Sequence, residues 1–98
     1  MKKVVIIEES DIIPRILNAV FHNLGYQFIH FKDGETALDF LKQNQVSIVI
    51  SSLVFAGVSG YEIAEIIRKN NINHDCVIII MTSNVGEVNE SRLYNAGI

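Results

Sequence analysis

An α/β fold built around a doubly wound parallel sheet is what this sequence predicts, on three observations. Four short, mostly β-branched runs, Val4 to Ile7, Gln27 to Phe31, Val46 to Ile50 and Val77 to Met81, are each followed by a helical pattern. The first, third and fourth are almost continuously apolar, as parallel strands buried on both faces must be, whereas Gln27-Phe28-Ile29-His30-Phe31 alternates like a strand at a sheet edge. Those same three apolar runs end in polar clusters, Glu8-Glu9, Ser51-Ser52 and Thr82-Ser83, so their carboxyl ends gather into one polar edge, where ligands of such sheets bind.

The elements follow in order. After the first strand, Ile12, Ile13, Ile16, Leu17, Val20, Phe21 and Leu24 fall on one stripe of a helix that Asp11 or Ser10 caps and Gly25 ends; Pro14 is tolerated because it lies in the first turn. The second helix begins after Asp33-Gly34 and carries Ala37, Leu38, Phe40 and Leu41. The third opens with Ser59-Gly60-Tyr61-Glu62, a capping-box pattern, and turns Ile63, Ala64, Ile66 and Ile67 to the sheet. A fourth helix, from about Gly86 to Ala96, has only the sparse stripe of Val88, Leu93 and Ala96, so it is expected to be the least securely packed. Phe21, Phe28, Phe31 and Phe40 sit at core spacings.

With 98 residues, 49% of them hydrophobic, 19% charged and a net charge of -3, the chain is expected to form one domain around one core. The eight Lys and Arg residues are scattered, which offers neither a footprint for direct nucleic-acid binding nor a polybasic membrane patch. Cys76 stands alone, consistent with a reducing cytoplasm, and Glu8-Glu9 cut the first apolar run too early for a signal peptide. His22, His30 and His74 share no metal-ligand spacing and read as surface or helix-end residues.

The arrangement is flavodoxin-like, and along nearly its whole length the chain resembles the receiver domains of bacterial two-component response regulators. The resemblance rests on the acidic pair Glu8-Glu9, on Asp33-Gly34 with Ala37-Leu38, on Gly57-Val58-Ser59-Gly60, on Thr82-Ser83 and on Ala96-Gly97. It implies a sheet of order 2-1-3-4, with the family's fifth βα unit missing from this chain. It also implies that an acidic pair and a phosphoacceptor aspartate hold Mg²⁺ together with a backbone carbonyl, here that of Val54, while a hydroxyl at Thr82 steadies the phosphoryl oxygens. In this comparison Ser52 stands where the aspartate belongs, glutamates replace the commoner aspartates at 8 and 9, and the family lysine would follow a fifth strand beyond Ile98.

No metal is therefore expected; if one binds, Glu9 and Val54 are its ligands. Ser52, Thr82 and Ser83 form a degenerate phosphoacceptor site beside an acidic pocket of Glu8 and Glu9. Each has a plainer reading. Glu8-Glu9 also reads as a solvated loop, Ser51-Ser52 as a hydrogen-bonded strand end lacking an adjacent general base, and Thr82-Ser83-Asn84 as a cap, with Asn84 and Glu87 at capping-box spacing. The expected function is non-enzymatic: a phosphorylation-independent module that binds a signalling protein, without cofactor. The competing function is a switchable receiver that takes a cation or a phosphorylated small ligand at Glu8, Glu9, Ser52 and Thr82. A flavin binder is disfavoured, because Glu8-Glu9-Ser10-Asp11 is acidic and lacks a phosphate cradle. The apolar Cys76–Met81 strand, at an uncovered edge, is expected either to pair two copies of the chain or to be covered by the rest of a longer chain of which these residues are a fragment.

Overall fold

The computed structural model describes residues 2–55 and 57–98. Strands β1 (Lys2–Ile7), β2 (Tyr26–Phe31), β3 (Ile48–Ser52) and β4 (Val77–Met81) form one all-parallel sheet in the order β2-β1-β3-β4. This is the flavodoxin-like order anticipated, with the alternating second run at one edge. Between and after the strands lie helices α1 (Ile12–Phe21), α2 (Gly34–Leu41), α3 (Gly60–Arg68) and α4 (Glu90–Asn95).

Alternation along the strands sends Val5, Ile7, Val49 and Ile78 to one face, where they pack with Ala37 and Leu41 of α2 and Ile63, Ala64 and Ile67 of α3. Two caps hold this layer: Ser59 Oγ, anticipated from the sequence, accepts from the Glu62 amide, and Asp33, which the sequence reading placed only before the helix, accepts from the Thr36 amide. Ile66 does not join the core and is 48% exposed, because it falls one step beyond the arc defined by Ile63, Ala64 and Ile67.

The opposite face carries Val4, Ile6, Ile48, Ile50, Val77 and Ile79. Here α1 departs from expectation. Its apolar stripe exists, but Pro14 is the helix's single buried residue, and Ile12, Ile16, Val20 and, in the turn after it, Leu24 are 53–64% exposed. The helix packs toward β2, beside Ile6, Phe28 and His30, while Val77 and Ile79 of β4 are 55% and 45% exposed. Phe21, at the far end of α1, is likewise exposed rather than core, whereas Phe31 and Phe40 pack at 5.2 Å between ring centroids. A 3₁₀ turn, His22–Leu24, follows α1, and Gly25 ends it at a φ of 78°, in the left-handed region. Capping falls to Ser10, whose Oγ accepts from the Ile12 amide, while Asp11 makes no side-chain cap bond.

Two further boundaries differ. Pairing with β4 carries β3 on to Ser52, so Val46 precedes the strand instead of opening it. The fourth helical segment is broken: a 3₁₀ turn at Val85–Glu87, extended backbone at Val88 and Asn89, and then the six residues of α4. Asn84 caps the 3₁₀ turn by accepting from the Gly86 amide; the Glu87 side chain, the other half of the capping-box expectation, lies outside the described residues.

Cys76 is buried, and burial pushes its thiol above the ordinary range despite the nearby Arg68 guanidinium, which pulls the other way. Native protein at neutral pH is therefore expected to react with an aromatic disulfide reagent at least about 10-fold more slowly than free cysteine, with the full rate restored in denaturant. Equal rates in both states would show that the thiol is accessible.

Candidate functional site

The carboxyl ends of β1, β3 and β4 open into a cleft of about 430 Å³, lined by Glu8, Ile13, Ser52, Leu53, Val54, Met81, Thr82 and Ser83. Its floor is fixed by backbone. The Leu53 amide donates to the Met81 carbonyl at 2.9 Å, continuing the β3–β4 ladder, and the Gly60 amide donates to the Leu53 carbonyl at 2.7 Å, tying the start of α3 to the same point. The Glu8 amide donates to the Phe31 carbonyl at 3.0 Å, which sets where β1 turns outward.

Ser51 and Ser52 point to opposite sides of β3. Ser51 is fully buried and donates to the Ser52 carbonyl at 2.9 Å, so it takes no part in the cleft. Ser52, half-buried, donates its hydroxyl to Glu8 Oε1 at 2.9 Å. This corrects the expectation that no base adjoins Ser52: a carboxylate does, brought from 44 residues away by the pairing of β1 with β3. The other oxygen, Glu8 Oε2, accepts from the Ser10 amide at 3.4 Å.

The remaining expected residues divide. Thr82 and Ser83 line the cleft, and Thr82 Oγ1 accepts from the Asn84 amide at 3.1 Å, so its hydroxyl is turned to its own loop. The segment thus caps the turn that follows it and forms one wall of the cleft. Glu9 is exposed and lies outside the cleft lining, so the acidic pair is split and Glu8 alone brings a carboxylate to the cleft. Val54 lines it, 66% exposed, and forms an isolated bridge with Ser59. Among the described residues, no three His, Cys, Asp or Glu side chains come together as a metal site.

His30 is the neighbour that sequence reading placed wrongly. It stands in register with Ile6 on the α1 side of the sheet, partly buried, and its Nε2 donates to the Glu8 carbonyl at 2.6 Å. Its Nδ1 lies 4.0 Å from Asp11, which also pairs with Lys32 at 3.4 Å. The period-2 alternation of β2, which puts His30 on the same side as Phe28, is the signal that marks it as inward-facing.

The family model for the response regulator receiver domain matches residues 4–98. The chain belongs to the response regulator receiver family. This receiver is 29% identical over 84 residues to the two-component response regulator-like PRR37 of Oryza sativa subsp. indica, covering 84% of the chain and 11% of that protein. It is 30% identical over 82 residues to the probable transcriptional regulator ycf27 of Porphyridium aerugineum, again covering 84% of the chain and 33% of the relative. The receiver thus spans a third or less of these two relatives' length, and the family's members here extend beyond bacteria.

Among solved structures, the Vibrio cholerae chemotaxis response regulator CheY4 superimposes with a TM-score of 0.86 at 20% identity, covering 99% of this chain and 81% of that one, a likeness of fold. The Thermotoga maritima response regulator TrrA, solved in complex with Mg²⁺-BeF, gives a TM-score of 0.82 at 26% identity over 96% of this chain and 80% of that chain. A structure of histidine kinase ThkA in complex with TrrA gives 0.80 at 26% identity, covering 96% and 79%.

Proposed function

We propose that this receiver works in two-component signalling as a phosphorylation-independent protein-interaction module, a pseudo-receiver. The observation that carries the reading is the Ser52–Glu8 hydrogen bond. Ser52, at the place where the family resemblance puts a phosphoacceptor aspartate, supplies a neutral hydroxyl, and that hydroxyl is already committed to the carboxylate beside it. A phosphoryl group arriving there would meet the Glu8 anion and a hydroxyl that, unlike an aspartate carboxylate, must give up a proton before it attacks.

The donor set does not suit Mg²⁺ either. That ion demands near-ideal octahedral oxygen geometry at short range, and among the described residues the cleft offers one carboxylate, the neutral hydroxyls of Ser52, Thr82 and Ser83, and the backbone at Val54. The module is thus proposed to act without cofactor and without enzymatic chemistry. Its partner is a signalling protein, a proposal supported by the kinase-bound structure of TrrA. Scattered basic residues argue against direct nucleic-acid binding, and among the described residues no helix is long and apolar enough to cross a membrane.

The switchable alternative is favoured by one observation, the open cleft itself, which keeps Glu8, Ser52 and Thr82 around a common space. Amide NMR titration with Mg²⁺ and then beryllium fluoride separates the two. The proposal expects no saturable shifts at Ser52, Thr82 or Ser83 in the native chain, and localised saturable shifts in Ser52→Asp, which restores a second carboxylate. Saturable shifts in the native chain that spread into α4 would overturn it.

A further inference from the structure

We infer that the cavity between α1 and β2 is a binding site for a free amino acid with a compact apolar side chain, held by its ammonium and its carboxylate. The site owes nothing to the chemistry at Ser52, and it lies at the β2 edge of the sheet, opposite the β4 edge.

Sequence spacing builds it. Asp11, Pro14, Arg15 and Asn18 stand at i, i+3, i+4 and i+7, one face of α1 and its N-cap, while Phe28 and His30 alternate onto the same side of β2. With Ile6 of β1 they line about 300 Å³, the lower end of the roughly 300–1,000 Å³ usual for small-molecule sites. Ile6 and Pro14, both buried, close the floor, and Phe28 adds an apolar wall.

The polar groups around this space match two opposite charges. His30 Nε2 donates to the Glu8 carbonyl at 2.6 Å, so in the neutral ring the proton sits on Nε2 and Nδ1 carries a lone pair. Nδ1 stands 4.0 Å from Asp11 Oδ1, while Lys32 takes the other carboxylate oxygen, Oδ2, at 3.4 Å. Two acceptors thus face each other across a gap too long for a direct hydrogen bond. A nitrogen about 2.9 Å from each fills such a gap, and it must carry at least two protons, as an ammonium does and a hydroxyl does not.

Arg15 supplies the opposite charge. It is exposed, stands one helical turn from Asp11, and pairs with no carboxylate among the described residues, since Asp11 has turned to Lys32 and His30. A carboxylate carried next to the bridging ammonium comes within reach of this long side chain, with the Asn18 amide beside it. Arg15 and Lys32 together outnumber Asp11, which disfavours a ligand with an ammonium alone, and a carboxylate alone leaves the gap unbridged. Filling the gap also fixes the His30 ring against the Glu8 carbonyl, so the Glu9 amide, in the same peptide unit, reports binding.

Amide NMR titration of the 98-residue chain with L-valine tests this, run beside isovalerate and isobutylamine, each of which lacks one of the two charged groups. L-Valine is expected to give saturable shifts at Glu9, Arg15, Asn18 and Phe28 with a dissociation constant at or below about 1 mM, and each half-ligand to bind at least about 10-fold more weakly. Arg15→Gln, at an exposed position, is expected to keep the native circular dichroism and weaken L-valine at least about 10-fold, whereas Lys42→Gln, at the end of α2, leaves binding unchanged. A nitrogen NMR spectrum of the His30 ring at about pH 8, above the ordinary histidine range, reads the acceptor without any variant: Nδ1 is expected to be unprotonated in the free protein and to shift on binding. No saturable shift up to about 10 mM L-valine, a half-ligand that binds as tightly as L-valine, or an Nδ1 already protonated and paired with Asp11 overturns the inference; the last result would make the gap a plain ion pair.

Discussion

Asn73→Ala is expected to destabilise the domain by about 3 kcal/mol, because three backbone groups lose a short hydrogen bond to one buried side chain at once. Asn73 is 1% exposed, and its side chain bonds at 2.8 Å to each of the Val46 amide, the Leu41 carbonyl and the Asn44 carbonyl. Alanine leaves the Val46 amide and the Asn44 carbonyl without these side-chain partners and the Leu41 carbonyl with only the longer bond from Asn70 Nδ2 at 3.4 Å. Since small domains have a total stability of about 5–15 kcal/mol, this one substitution removes a large share of it. Asn73→Asp is expected to be worse: it keeps an acceptor for Val46 but sets a carboxylate against two carbonyls. Urea denaturation gives the test, through a lowered midpoint at unchanged slope. A loss under about 1 kcal/mol would mean that water takes over the three bonds.

Gly60→Ala is the second large effect, and two opposing terms decide its sign. Gly60 opens α3 with an ordinary negative φ, so on helix propensity alone alanine gains up to about 1 kcal/mol. The added methyl carbon, however, would lie 2.5 Å from the Ser52 carbonyl oxygen and 3.2 Å from Leu53 Cα, both backbone atoms of the neighbouring segment. Neither can swing aside as a flexible side chain does, so α3 must back away from β3 and stretch the Gly60–Leu53 bond. Overpacking of this kind costs about 3 kcal/mol, and sterics win. The same displacement should appear as amide shifts at Ser52 and Leu53, which distinguishes it from diffuse destabilisation; a variant as stable as the native chain with an undisturbed cleft would refute the argument.

What could be read in the sequence was whatever depends on neighbours along the chain. The β4 limits, the edge position of β2 and the cap at Ser59 rest on local periodicity and short-range hydrogen bonding, and they stand as expected. The end of β3 was misjudged by two residues because Ser51 and Ser52 are polar; ladder pairing with Ile80 and Met81, not hydropathy, carries the strand on. The α1 stripe was legible as a stripe, but hydropathy cannot say whether a second surface covers it. The site divided in the same way. Its members Glu8, Ser52, Thr82 and Ser83 could be listed from strand ends, while the Ser52–Glu8 bond, the exclusion of Glu9 and the position of His30 depend on register between strands. Asn73 was passed over because an asparagine in a loop looks like turn chemistry until its three distant partners are seen.

The two poles of the sheet are fastened by different means. At the amino-terminal ends of the strands, side chains do the joining: besides Asn73, Arg68 donates to the carbonyls of His74, Cys76, Ala96 and Gly97, binding α3, the entry to β4 and the end of α4 through one guanidinium. At the carboxyl-terminal pole the floor is joined by main-chain bonds that survive many changes of side chain. Gly60 apart, where backbone crowds an added methyl, side-chain changes at the cleft are accordingly expected to cost less stability than changes at Asn73 or Arg68. On the proposed reading, a receiver can carry a hydroxyl in place of a carboxylate at the cleft and keep its scaffold, which is the physical condition for keeping a shape without its reaction.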